Sequence, residues 1–239
     1  NKVLGQSRII LVSNQAIVKN SNFLKKFQEK CRVIPYGLKI DHLLVVKQEE
    51  EIKSIKEKFS QGKPLVLSVG RLIYYKGFEY LIEAFKSIDY ARLLIIGDGP
   101  LNDKLNNLII KDNLQDRVSI ISSVIDLTPY YQAADLFILP SVAESEVFGL
   151  VQIEALAAGL PVINTSLPTG VPEVSLNNET GITVEPKNSR ALERAIEKII
   201  KNSELKEKFS AKARQRAKDN FSYQKFISLA EKHFLDILT

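Results

Sequence analysis

Two cationic side chains follow an apolar segment that ends in glycine. The segment at residues 65–69 leads to Gly70, and Arg71 and Lys76 stand in the next few positions, before a predicted helix. A glycine at the carboxyl end of a buried strand lets a ligand approach the backbone, and open α/β sheets bind ligands at that edge. Two cations near the positive end of a helix dipole suit a diphosphate. By spacing alone the pair could equally be two exposed charges on a loop, and the segment lacks the Lys-Ser or Lys-Thr of a Walker loop.

A second set of candidate residues consists of two glutamates that flank the start of a predicted helix. Glu146 and Glu154 stand eight positions apart, with Phe148-Gly149-Leu150 between them. We predict that a helix begins close to Leu150, so that Glu146 precedes it, Glu154 lies about one turn inside it and both face one cleft. Carboxylates accept hydrogen bonds from sugar hydroxyls, and the amides at a helix start bind a phosphate. Acidic residues also favour helix N-termini with no ligand at all, so both interpretations stand.

The segment Gly97-Asp98-Gly99-Pro100 begins like a dinucleotide-binding fingerprint but does not complete it. Asn102 stands at the third glycine position, and no acidic residue ends the following strand at 118–122. This departure argues against an NAD-dependent oxidoreductase. We predict a tight turn into a helix instead.

The segments that must hold these residues alternate between strand and helix. Predicted strands cover residues 8–12, 32–34, 65–69, 92–96, 118–121, 136–139, 161–164 and 182–184. They are apolar without alternation, which is typical of strands buried on both faces of a parallel sheet. Predicted helices fall between them, at 16–28, 49–59, 79–88, 101–110 and 189–200, and two more follow at 203–219 and 222–238. The pattern predicts an open α/β sheet with right-handed crossovers.

Composition excludes several classes of protein. The 239 residues carry a net charge of +5, and a single cysteine, Cys31, rules out a disulfide framework and a multi-cysteine metal site. No apolar run approaches the roughly 20 residues of a membrane span. The sequence has no Asp-x-Asp and no cluster at metal-ligand spacing, so we expect neither a metal nor a cofactor. The lone thiol indicates a reduced, cytoplasmic setting. The chain begins with Asn1 and contains no methionine, from which we expect a piece of a longer polypeptide.

The densest basic run lies at residues 201–218, where Glu204 and Glu207 interleave with the cations. Such a run is either a solvated helix face or a contact for an anionic membrane, which would make the protein peripheral to the inner membrane surface. Aromatic residues that could stack on bases are missing there, which argues against nucleic acid. The two histidines stand outside the motifs, and we expect His42 at the surface and His233 packed on the last helix.

Taken in order, the motifs resemble a known family of enzymes. The series Arg71…Lys76, Gly97-Asp98-Gly99-Pro100, Glu146…Glu154 around Phe148-Gly149-Leu150, and Gly159-Leu160-Pro161 is similar to the retaining GT-B glycosyltransferases of family four, over residues 65–185. The resemblance implies the C-terminal half of a GT-B fold, an open parallel Rossmann-like sheet. Residues 37–220 would be its nucleotide-sugar-binding domain. Residues 1–36 would be a short β-α-β remnant of the N-terminal acceptor domain with the interdomain turn, and residues 221–239 a helix that crosses back to that domain.

The resemblance also implies a role for each matching position. The donor-binding residues would be Gly70, Arg71 and Lys76 at the diphosphate, Glu146 at the transferred sugar, Glu154 at the ribose, the amides of Phe148, Gly149 and Leu150 at the distal phosphate, and Ser123 and Val124 near the base. Catalytic roles follow for Glu146, Arg71 and Lys76, of which the two cations would stabilise the leaving diphosphate without a metal.

The implied activity is transfer of a hexose, with retention, from a nucleotide-sugar to a glycan or lipid-linked acceptor. This chain would supply the donor-binding half. Residues 167–173 look like those of surface-polysaccharide mannosyl- and rhamnosyltransferases, which points to cell-surface polysaccharide synthesis. The alternative is a nucleotide-sugar-binding fragment without catalysis, from a truncated or split gene.

Overall fold

Parallel strands form the framework of the computed structural model, which describes residues 2–46 and 48–238. In chain order they are β1 (Ile10–Val12), β2 (Cys31–Val33), β3 (Leu65–Val69), β4 (Arg92–Ile96), β5 (Val118–Ile121), β6 (Leu136–Ile138), β7 (Val162–Thr165) and β8 (Gly181–Val184). The large sheet has the order β5-β4-β3-β6-β7-β8, and β1 pairs with β2 in a separate small sheet. The predicted open parallel α/β sheet is confirmed.

Helices connect the strands. They are α1 (Lys2–Gln6), α2 (Gln15–Asn20), α3 (Asp41–Leu44), α4 (Glu49–Ile55), α5 (Phe78–Ala84), α6 (Asn102–Lys111), α7 (Thr128–Ala133), α8 (Val151–Ala158), α9 (Val171–Val174), α10 (Ser189–Ile200), α11 (Ser203–Phe221) and α12 (Tyr223–Leu238). Shorter helical turns cover Leu24–Lys30, Lys56–Ser60 and Tyr74–Lys76. Over the described residues, no helix combines the length and apolarity that a membrane crossing requires.

The central strand of the large sheet is β3, whose five side chains are all buried. It pairs with β4 on one side, where Val69 lies opposite Ile96, and with β6 on the other, where Leu67 lies opposite Phe137. The strand order therefore reverses at β3. In open α/β sheets a crevice forms at the carboxyl ends of the strands at such a point, and ligands bind there.

Hydrophobic layers cover both faces of this sheet. Helices α5, α6 and α10 bury their apolar sides on one face, while α3, α4, α7, α8 and α9 cover the other. Helix α11 reaches both layers, since Phe209 belongs to the first and Ala213 to the second. Burial on both faces explains why the strand sequences are continuously apolar.

Most predicted boundaries agree with the structure to about two residues, but one predicted helix is wrong. The helix expected at 16–28 ends at Asn20, because Ser21 adopts an extended backbone there, and its hydroxyl accepts a hydrogen bond from the Leu24 N–H at 3.2 Å. A separate three-residue-per-turn stretch follows at Leu24–Lys30. The short helices α1, α3, α7 and α9 were not predicted from the sequence, since periodicity is weak over one turn.

The N-terminal segment and the connection that follows it make several contacts with the large domain. Leu38 lies between α11 and α12, where its N–H donates to the Phe221 carbonyl at 2.8 Å and its carbonyl accepts from the Tyr223 N–H at 2.9 Å. Glu173 lies against the start of α2, and its two carboxylate oxygens accept from the N–H groups of Gln15 and Ala16 at 3.0 and 2.7 Å. The division at residues 36 and 220 stays a prediction.

Candidate functional site

The loop after β3 is held against the end of β6 by close backbone contact. Gly77 has φ +70°, and a side chain at that position would place its Cβ 2.1 Å from the Pro140 carbonyl oxygen. The Val142 N–H donates to the Tyr75 carbonyl at 2.8 Å. Only glycine combines that backbone conformation with so little space. The contact brings Lys76 to the residues that follow β6.

A buried ion pair results from this contact. The Lys76 Nζ lies 2.5 Å from Glu146 Oε2, and the two side chains are only 11% and 9% exposed. The Ser141 hydroxyl donates to the same oxygen at 2.8 Å. The structure thus joins two residues that the sequence placed in separate motifs, and it adds Ser141, which the sequence analysis missed. Its position just after the β6 strand was the available signal.

Polar side chains continue from this pair into the domain interior. The Thr165 hydroxyl, at the end of β7, donates to the Ser141 carbonyl at 2.6 Å. Gln152, on α8, accepts from the Asn164 amide at 2.9 Å and donates to the Phe148 carbonyl at 3.2 Å. Four polar side chains of this network are buried, namely those of Ser141, Gln152, Asn164 and Thr165. Buried polar groups that are fully hydrogen-bonded hold one arrangement, so this network fixes the loop before α8.

The start of α8 presents unpaired backbone amides. Gly149 has φ +73°, and a Cβ there would lie 2.5 Å from Leu139. Within the described part of the chain, the N–H groups of Phe148, Gly149 and Leu150 have no hydrogen-bond acceptor. The Phe148 ring itself is buried and packs edge-on against Tyr36 at 5.1 Å between centroids. Phe148 can therefore meet a ligand through its backbone only.

Glu154 lies on α8 beside a buried tyrosine. Its Oε2 accepts from the Tyr131 hydroxyl at 2.8 Å. Burial raises the pKa of Glu154, and the hydrogen bond from Tyr131 acts in the opposite direction. Glu154 lines a cleft with a volume of about 170 Å³, together with His42, Asp126 and Thr128. His42 is exposed, as predicted, and it faces the same cleft as Glu154, which the sequence did not indicate. That Glu146 and Glu154 face one cleft stays a prediction.

Arg71 lines a cleft at the ends of β3, β4 and β5. The cleft has a volume of about 330 Å³, and Gly70, Asp98 and Val124 contribute to its wall. The Arg71 side chain is exposed and makes no ion pair or hydrogen bond to the described residues. The Asp98 carboxylate accepts from the Ser123 N–H at 2.8 Å, and this bond holds the pKa of Asp98 below its ordinary value.

The glycines of the 97–99 segment have a packing role. A Cβ at Gly97 would lie 2.0 Å from the Gly70 carbonyl oxygen, and one at Gly99 would lie 2.5 Å from that of Leu72. The Leu72 N–H also donates to the Asp98 carbonyl at 2.8 Å. The segment is the predicted tight turn into a helix, and its glycines let the loop pack against the one that carries Arg71.

These features form one row along the strand ends. In chain order they are an exposed guanidinium, a buried Lys–Glu pair and the free amides of a helix start. This combination suits an anionic ligand that also carries hydroxyl groups. Among the described side chains, no group of three His, Cys, Asp or Glu residues could hold a metal ion.

A family model matches most of this chain. Residues 49–216, well over half of the chain, match the model of the glycosyl transferases group 1. The chain belongs to this family. The matched residues include the whole row of site residues from Gly70 to Glu154.

Similar proteins carry related names. An uncharacterized glycosyltransferase of Haemophilus influenzae is 33% identical over 64% of this chain and 44% of its own length. The D-rhamnosyltransferase WbpZ of Pseudomonas aeruginosa is 28% identical over 89% of this chain and 55% of its own. The chain thus spans about half the length of the curated relatives it matches. A solved structure, HepE of Anabaena in complex with UDP, has the same fold, with a TM-score of 0.84 at 21% identity over 97% of this chain and 64% of its own.

Proposed function

We propose that this chain binds the nucleotide-sugar donor of a retaining hexosyltransferase that takes part in cell-surface polysaccharide synthesis. The observation that carries the proposal is the buried Lys76–Glu146 pair, 2.5 Å from nitrogen to oxygen, at the reversal point of the strand order. A cation and a carboxylate held together at a ligand-binding edge suit a sugar diphosphate. The cation can bind the phosphate, and the carboxylate can accept hydrogen bonds from the sugar hydroxyls.

The diphosphate would lie between Arg71, Lys76 and the start of α8. Arg71 is exposed and unpaired within the described residues, so its planar guanidinium is available for a bidentate contact. The amides of Phe148, Gly149 and Leu150 supply neutral donors at the positive end of the α8 dipole. Gly70 leaves room for the ligand because a side chain there would lie 3.2 Å from the Lys76 Cε.

The remaining parts of the donor would lie on either side. Glu146 would accept hydrogen bonds from the transferred sugar and Glu154 from the ribose, each through a carboxylate already oriented by a neighbouring hydroxyl. The base would enter the cleft of about 330 Å³ that Val124 lines.

Catalysis would rest on electrostatic help to the leaving group. As the bond from the sugar to the diphosphate breaks, negative charge grows on the phosphate oxygens, and fixed cations stabilise it. Arg71 and Lys76 would supply that charge, while Glu146 orients the sugar for attack from the side that the diphosphate leaves. No metal would be needed, so donor binding should persist in excess EDTA.

The acceptor would be a glycan or a lipid-linked glycan at the inner membrane surface. The capsular polysaccharide biosynthesis glycosyltransferase CapM of Staphylococcus aureus, 34% identical over 65% of this chain and 42% of its own length, supports a polysaccharide substrate. Three cations of the 201–218 run, Lys208, Lys212 and Lys218, are exposed on α11 and would meet an anionic membrane. Two others, Arg214 and Arg216, donate to carbonyls of the large domain.

Calorimetric titration with UDP-, GDP- and dTDP-sugars tests the proposal. We expect one of them to bind, and we expect Arg71→Ala to weaken that binding by about 1.5–3 kcal/mol, the worth of a hydrogen bond to a charged group, or roughly 10- to 150-fold. Lys212→Ala removes the same charge from α11 and should leave the affinity unchanged. Failure of every nucleotide-sugar to bind, or equal losses in the two variants, would contradict the proposal.

A further inference from the structure

We propose that Ser141 is a positioning residue that orients the Glu146 carboxylate toward the transferred sugar. This inference rests on the proposed function, because it assigns to Glu146 the sugar end of the donor. In this proposal Ser141 contacts neither the phosphate nor the nucleotide. It acts on the affinity for the nucleotide-sugar relative to the affinity for the free nucleotide.

The two oxygens of Glu146 have different surroundings. Oε2 receives both the Ser141 hydroxyl at 2.8 Å and the Lys76 ammonium at 2.5 Å. Oε1 makes no hydrogen bond to the described part of the chain. One oxygen is therefore anchored in the protein, and the other remains for a ligand hydroxyl.

A lysine alone would hold this carboxylate loosely. An ammonium is a compact charge with no preferred plane, whereas a hydroxyl bond is directional. When Lys76 turns toward a diphosphate, its hold on Glu146 weakens, and the Ser141 bond is what remains on Oε2. The serine thus keeps the carboxylate in place while the lysine serves the phosphate.

The backbone of Ser141 is itself fixed by a hydrogen bond. It is completely buried, and its carbonyl accepts from the Thr165 hydroxyl at 2.6 Å. Thr165 ends β7, the strand next to β6. The sheet therefore fixes the backbone of Ser141, and Ser141 fixes Glu146. Substitution of Ser141 by alanine removes only the hydroxyl and leaves the backbone bond to Thr165 intact.

The chain offers a matched control. Ser68, on β3, is equally buried, and its hydroxyl donates to the Ile138 carbonyl at 2.7 Å. Ser68→Ala removes the same hydroxyl from the same core without touching Glu146. A general loosening of the domain would appear in both variants, while a loss of carboxylate positioning appears only in Ser141→Ala.

The test compares three pairs of probes by calorimetry: UDP with UDP-glucose, GDP with GDP-mannose, and dTDP with dTDP-glucose. For the pair that binds the wild-type chain, we expect Ser141→Ala to weaken the sugar-bearing ligand about tenfold and the free nucleotide by less than about twofold. Ser68→Ala should leave the ratio of the two affinities unchanged. An unchanged ratio in Ser141→Ala, or an equal change in Ser68→Ala, overturns the inference but not the donor site. No binding of any probe to the wild-type chain overturns both.

Urea unfolding of the ligand-free chain gives a second readout. The wild type, Ser141→Ala, Glu146→Ala and the double variant form a cycle, and we expect the losses of the single variants to be non-additive, since the two side chains share a bond. Additive losses would show that the hydrogen bond is absent in solution and would overturn the inference whatever the ligand.

Discussion

The large sheet and the small N-terminal sheet are built from the same kind of unit but are stabilised in different ways. In the large sheet, β3 buries every side chain. In the small one, Val12 is buried while its neighbour Leu11 is 43% exposed. Both are parallel β-α-β arrangements, yet only the first carries a hydrophobic layer on each face.

What holds the small sheet is contact with the large domain. Glu173 caps the start of α2, and the Asn20 amide donates to the Pro168 carbonyl at 2.7 Å. Phe148, at the candidate site, packs against Tyr36 in the connecting segment. The N-terminal segment is therefore held by contacts with α9, with the loop before it and with Phe148 at the candidate site.

Substitution in the two sheets should give the largest contrast. Phe137→Ala removes a fully buried ring from β6, and we expect the free energy of unfolding to fall by about 4 kcal/mol. Leu11→Ala, on β1, should change it by less than about 1 kcal/mol. Urea unfolding measures both, and similar losses would mean that the small sheet has a core of its own.

The buried ion pair should behave as part of the large domain. Lys76→Ala leaves the Glu146 carboxylate buried without its partner, and we expect a loss of about 3 kcal/mol in the free energy of unfolding. Lys104→Ala breaks an exposed pair with Glu79, at 2.8 Å, and should cost less than about 1 kcal/mol. Equal costs in the two variants would show that the Lys76–Glu146 pair is hydrated in solution.

Loss of the Glu173 cap should release the N-terminal segment alone. In Glu173→Ala the N–H groups of Gln15 and Ala16 lose their acceptor, at a cost of about 1 kcal/mol. Hydrogen exchange should quicken through α2 and β1 while the large sheet keeps its protection. Glu185→Ala, an exposed carboxylate after β8, is the control. Uniform loss of protection in both regions would show that the two sheets unfold together.

The smallest effect concerns pH. Because the pKa of Glu154 is raised above 4.5 by burial, the folded chain binds this proton more tightly than the unfolded chain, and the group adds stability as pH falls through the raised value toward 4.5. Glu154→Gln should therefore raise the unfolding free energy at pH 7, by less than about 1 kcal/mol, and flatten its pH dependence in that window. The carboxylate of Asp98 has the opposite effect on the pH dependence of stability. Because its pKa is lowered below 3.8, it stabilises the folded chain at pH values above 3.8, and this contribution is lost as pH falls through the lowered pKa. Unfolding curves at a series of pH values separate the two, and an unchanged curve for Glu154→Gln would contradict the burial of that carboxylate.

The elements with strong local patterns could be predicted from the amino-acid sequence alone. The strands β3, β4 and β5 and the helix α10 have the predicted bounds, since continuous apolar runs and helical periodicity are properties of neighbouring residues. The motif residues were also visible, because glycine and charge at a strand end are local features. The irregular stretch at Leu24–Lys30 was not, since its turn depends on a single serine.

Which of these residues are in contact depends on the tertiary fold. Lys76 and Glu146 are 70 positions apart, and they touch because β3 and β6 are neighbours in the sheet and Gly77 lets their loops approach. The same strand order brings Ser141 to Glu146, and the fold brings His42 to the cleft of Glu154 and Glu173 to the start of α2. Contacts across such distances depend on the order of strands, which hydrophobic periodicity does not encode, because every buried parallel strand presents nearly the same apolar pattern.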